Sequence, residues 1–86
     1  MALFAVIALK DATPAVDQAV AALPAQSTYK IEAGKWIVSS SAPTAKQLAI
    51  ELGLRESVSH LVLSFRGYSG RAQPDLWEWL STQAES

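Results

Sequence analysis

The run Arg66-Gly67-Tyr68-Ser69-Gly70-Arg71 gathers the only dense group of cationic and aromatic side chains in the sequence. Guanidinium groups grip phosphates with paired N–H donors, and a tyrosine ring offers a face on which a base can stack. Gly67 and Gly70 would let backbone amides approach an anion. Arg66, Tyr68 and Arg71 are therefore the candidates for nucleic-acid contact. The same residues also read as a turn, with solvated arginines, or arginines paired to Asp75 or Glu78, and a packed tyrosine. Two arginines per chain make few phosphate contacts, so any such binding is expected to be weak and steeply salt-dependent.

Asp11 is the candidate for metal chemistry. To hold a divalent ion it needs a second acid, supplied by a symmetry mate, and open positions for water and phosphate. Its other reading is a solvated loop carboxylate ahead of a helix, favoured by the helix dipole. Asp17 reads as a surface charge of the first helix. His60, the sole histidine, would need a serine and an acid in defined geometry to act as a base. Ser57, Ser59 and Ser64 lie near it, and only Ser64 shares its strand face; the other reading is a strand-edge histidine with a satisfied hydrogen bond. Ser39-Ser40-Ser41 has no nucleophile-elbow context and reads as a polar connection. The chain has no phosphate-binding loop, dinucleotide fingerprint or paired metal-ligand spacing.

These groups must be positioned by one small domain. Half of the 86 residues are hydrophobic, but 15 are Ala, so the core rests on a short list of larger side chains. A second copy is a natural source of further burial, and Trp36, Trp77 and Trp79 are the candidate interface anchors, since tryptophan is common in that role. Trp77 and Trp79 stand two apart and point in different directions on a helix. The net charge of −1 argues against a dedicated nucleic-acid binder with a broad positive field. The absence of cysteine removes disulfides, thiol catalysis and cysteine-bound metal. Ala2 to Leu9 has no cationic leader and is too short to span a membrane, so it reads as a buried strand of a cytoplasmic protein.

Ala2 to Leu9 is apolar on both alternating faces, as a sheet-interior strand would be. Thr13-Pro14 predicts a helix start with Thr13 as N-cap, carrying the stripe Val16, Ala19, Val20 and Leu23 and ending at Pro24. Ser27 to Glu32 and Lys35 to Ser40 read as a hairpin around Ala33-Gly34. Thr44-Ala45-Lys46-Gln47 matches a capping box, and Gly53 is placed for a left-handed C-terminal cap followed by Leu54. His60 to Arg66 is a fourth strand, with Leu61, Leu63 and Phe65 on one face. Pro74 starts a final helix. The order βαββαβ plus a helix predicts an α+β, ferredoxin-like fold with both inner helices on one face of a four-stranded antiparallel sheet.

Lys35-Trp36-Ile37-Val38-Ser39, Pro43-Thr44-Ala45 opening a helix that ends Leu52-Gly53, Leu61 through Gly70, and Trp77-Glu78-Trp79-Leu80 resemble short bacterial and phage proteins. These are sometimes labelled the "SinR family", a name unrelated to the helix-turn-helix repressor. They are similar in fold to the small CRISPR-associated ferredoxin-like protein, a group that also includes toxin–antitoxin endoribonucleases. The resemblance covers residues 35–80 and the first strand by position. It implies a homodimer that acts on or sits beside nucleic acid. In the nuclease-active relatives an aspartate ends the first strand and faces its mate across the dimer to hold a metal. Here the strand end falls nearest Leu9 or Lys10, and Asp11 follows it.

The reading is a homodimeric, non-catalytic interaction module without a cofactor, touching RNA or DNA weakly through Arg66, Tyr68 and Arg71, with no membrane partner. One alternative is a Mg²⁺- or Mn²⁺-dependent endonuclease using Asp11 from both subunits. Another is an antitoxin-like regulator binding a protein through an exposed sheet edge.

Overall fold

Strands and helices alternate along the chain in the predicted order. The computed structural model describes residues 2–54, 58–70 and 74–84. The elements are β1 (Ala2–Ala8), α1 (Thr13–Ala21), a 3₁₀ turn (Ala25–Ser27), β2 (Thr28–Glu32), β3 (Lys35–Ser40), α2 (Ala45–Glu51), β4 (His60–Phe65) and α3 (Pro74–Ala84). The four strands form one sheet in the order β2-β3-β1-β4, every neighbouring pair antiparallel. Each inner helix thus carries the chain over an intervening strand, giving two interlocked split β-α-β units of an α+β, ferredoxin-like fold.

Alternation along the strands divides the interior into two cores. Phe4 and Val6 of β1 and Trp36 and Val38 of β3 face one side, where Val16 and Val20 of α1 and Leu48 of α2 cover them. Phe4, Val6, Val16, Val20, Val38 and Leu48 are almost fully buried, each such apolar side chain contributing roughly 1.5–3 kcal/mol. On the other side, Ile37 packs with Leu76 and Leu80 of α3, flanked by Leu3, Ala5, Tyr29, Phe65, Trp77 and Trp79. Leu76 and Leu80 are four residues apart, so they share one helix face.

The N-cap of α1 is Ala12 rather than Thr13, with no side-chain hydrogen bond. A turn closed by the Ala12 amide on the Leu9 carbonyl (3.1 Å), with Lys10 at φ +55°, delivers the chain into the helix one residue early. Thr13 then sits in the first turn, beside the β2–β3 loop. α1 also stops at Ala21, before Pro24, and Ser27 belongs to the 3₁₀ turn. In α2 the cap is as expected on one side: Thr44 Oγ1 accepts the Gln47 amide at 3.1 Å. At its other end Gly53 takes φ +75°, its amide bonds to Ile50 O, and the Leu54 amide bonds to Ala49 O. That is a Schellman closure, with Leu54 packed against the core.

Candidate functional site

The basic and aromatic residues after β4 do not share one environment. Arg66 follows Ser64 by two residues, and the pair lines a cleft of about 310 Å³ with Phe4, Phe65, Ala2 and Pro43. Tyr68 is turned to α3 instead: its ring stacks on Trp77 (centroids 6.0 Å apart, planes 15° apart) and meets Phe65 edge-on at 6.5 Å. One face of the Tyr68 ring is therefore occupied within the chain, although the residue is 43% exposed. Arg71 lies outside the described residues. Asp75, a sequence-level partner for these arginines, instead accepts a hydrogen bond from the Tyr29 hydroxyl at 2.8 Å. Burial, with that carboxylate next, pushes the Tyr29 phenol above its ordinary pKa.

Asp11 is exposed in the turn after β1. Among the described residues no group of three or more His, Asp or Glu side chains gathers to hold a metal ion. His60 sits at the start of β4 with its Nδ1 2.6 Å from the Val58 carbonyl, which an Nδ1–H satisfies. Ser39 is buried, and Ser40 Oγ accepts the Ala42 amide at 3.0 Å. The serine run lines a second cavity of about 200 Å³ with Leu23, Val38 and Leu48 at its base and Glu51 at its rim; no histidine lines it.

Asp17 is the residue that sequence reasoning misplaced. Rather than a plain surface charge, it is the anchor of the hairpin. Its Oδ1 accepts both the Gly34 amide and the Trp36 indole N–H, each at 2.8 Å, and Oδ2 lies 3.7 Å from Lys30 Nζ. The Lys30 ammonium in turn sits 5.6 Å from the Trp36 ring centroid. The Trp36 hydrogen bond foremost, then the Gly34 amide and Lys30, hold the Asp17 carboxyl below its ordinary pKa of 3.8 against the opposing effect of burial. Asp17 borders the Val16–Val20 stripe, but its partners are 13 to 19 residues away in sequence, and nothing local in the sequence announces them.

The three tryptophans all have partners within the chain. Trp36 is 8% exposed in the inner core. Trp77 and Trp79 are half-buried on either flank of α3, Trp77 against Tyr68 and Trp79 against Tyr29 at 5.9 Å. With α3 laid over β2 and β3, the β4 end of that sheet face is left open. Leu61 and Leu63 are 42% and 47% exposed and join neither core, and their register partners on β1 are Ile7 and Ala5. β4 is an outer strand, paired only with β1. Among the described residues no helix is long and apolar enough to cross a membrane.

No family model, no curated protein and no solved structure matches this chain.

Proposed function

We propose that this chain is a cytoplasmic, non-catalytic interaction module that pairs with a second copy of itself through β4. The observation that carries the reading is an outer strand with no Lys, Arg, Asp or Glu, His-Leu-Val-Leu-Ser-Phe, beside an uncovered apolar strip formed by Leu61 and Leu63. Outer strands offer unpaired backbone groups, and proteins usually blunt them with charge, irregularity or cover. The opposite edge is blunted in all three ways: β2 carries Lys30 and Glu32, shifts register between them, and lies under Tyr29's contacts to α3. β4 carries no Lys, Arg, Asp or Glu, keeps an unbroken register with β1, and leaves Leu61 and Leu63 uncovered.

A second copy suits this surface better than a charged partner does. Antiparallel pairing about a twofold axis sets β4 against itself, and a strand without Lys, Arg, Asp or Glu opposes no like charges when it does so. The two sheets would then run on as one, with Leu61 and Leu63 of each copy extending a shared apolar face. The tryptophans are not needed for this contact, since their rings are engaged within the protomer. Nor does the reading include the nucleic-acid contact expected of Arg66 and Tyr68, because the two side chains serve different surroundings. The nuclease alternative would take its second acid from Asp11 of a second copy, outside the single protomer.

The absence of cysteine makes the test direct. Single cysteines placed in turn at Leu61, Leu63 and Ser64 should form a covalent dimer on mild oxidation, fastest at the position nearest the twofold axis. A cysteine at Ile31, on the opposite edge, should not. Equal or absent cross-linking at both edges would dismiss β4 as the contact.

A further inference from the structure

We propose that the cleft beside Arg66 binds a phosphate group, free or as the ester of a small molecule. Ser64 lies near the end of β4 and Arg66 at the bend that follows it, and both line the same cleft. Among the described residues neither side chain has a hydrogen-bond or ion-pair partner, whereas Lys30 and Lys35 are both paired to carboxylates. Among the described residues no Asp or Glu lines the cleft. Among the described residues the Arg66 charge thus has no acidic partner, and it stands beside Phe4, Phe65, Ala2 and Pro43.

The donor set selects among anions. A guanidinium offers two parallel N–H groups and the serine one O–H. A carboxylate held by the guanidinium fork can offer the hydroxyl only a second lone pair on an oxygen already engaged, whereas a phosphate has a further oxygen for it and a larger charge. At about 310 Å³ the cleft is at the small end of ligand sites, which run from about 300 to 1,000 Å³. It has room for a phosphate and a modest substituent. The lining comes from a single protomer.

Amide spectra of the ¹⁵N-labelled full chain, recorded while titrating inorganic phosphate, adenosine monophosphate or acetate at constant ionic strength, test this. Phosphate or the ester should move the amides of Phe4, Ser64, Phe65 and Arg66. Arg66→Ala should weaken that response at least tenfold, Ser64→Ala a few-fold, and Arg66→Lys should fall between wild type and Arg66→Ala. A response to the ester alone, or to inorganic phosphate alone, assigns the source. Silence toward both, an unchanged response in Arg66→Ala, or an equal response to acetate overturns the proposal. The native mass of the same samples reports the dimer separately, so failure here leaves the β4 reading untouched.

Discussion

At Asp17, one carboxylate satisfies a backbone amide and an indole N–H and faces an ammonium. Asp17→Ala strands both donors, and an unsatisfied buried donor costs about 1–3 kcal/mol. We expect a loss of roughly 2–3 kcal/mol in urea unfolding, on the same basis. Asp17→Asn keeps an acceptor oxygen for both and should lose about 1 kcal/mol or less. The pH dependence has a definite sign. The folded-state pKa lies below the ordinary value of 3.8, so the stabilisation is complete above that value and is lost as pH falls through the depressed one. Urea midpoints taken on acidification should fall more steeply for wild type than for Asp17→Asn; parallel curves would remove Asp17 as the source. Lys10 offers a contrasting case. Its φ of +55° places a side-chain-bearing residue in the left-handed region, at roughly 1–2 kcal/mol. Glycine pays back only part of that in chain entropy, so Lys10→Gly should raise stability by about 0.5–1 kcal/mol. A thermal melt showing no gain would contradict the strain.

The hairpin, the caps and the outer strand show what local sequence does and does not encode. Gly34 takes φ +80°, its carbonyl accepts the Ala8 amide at 2.7 Å, and a Cβ there would meet Thr13 Oγ1 at 2.9 Å and Ala8 Cβ at 3.1 Å. Gly34→Ala combines a disfavoured backbone with a close contact, and should cost about 2 kcal/mol or more in denaturant unfolding. The hairpin and the α2 caps were legible, because turn and capping chemistry lie within a few residues. The Thr13 cap was misread because a turn set by Lys10, upstream of the motif, fixed where the helix begins. Leu61, Leu63 and Phe65 were legible as one strand face. That Phe65 would be covered and the two leucines left open was not, since it depends on where α3 lands. Tyr29–Asp75, at a separation of 46 residues, and Gln83 Nε2 to Gln26 O at 3.1 Å help to hold α3 there. Tyr29→Phe removes the first of these and should lower stability by about 0.5–1.5 kcal/mol, with little change in far-ultraviolet dichroism.

Across the whole molecule, the βαββαβ order and the placing of both inner helices on one sheet face come out as the sequence predicts, and α3 on the other face adds a second core. The candidate site was less legible. Proximity in sequence grouped Arg66 with Tyr68, but the chain bends at Arg66 and the stack on Trp77 turns Tyr68 to α3, so the two reach different surroundings and Ser64 lines the cleft with Arg66 instead. The same asymmetry carries the proposed association, with one sheet edge charged and irregular and the other bare. The central claim is that the bare edge joins two copies. Sedimentation equilibrium of the wild-type chain and of a Leu61→Lys/Leu63→Lys variant, over a wide concentration range, tests it most directly. The account predicts twice the protomer mass for wild type and the protomer mass for the variant, with the variant's dichroism unchanged because both leucines lie outside the cores. A wild-type chain that stays monomeric throughout, or a variant that remains a dimer, would contradict it.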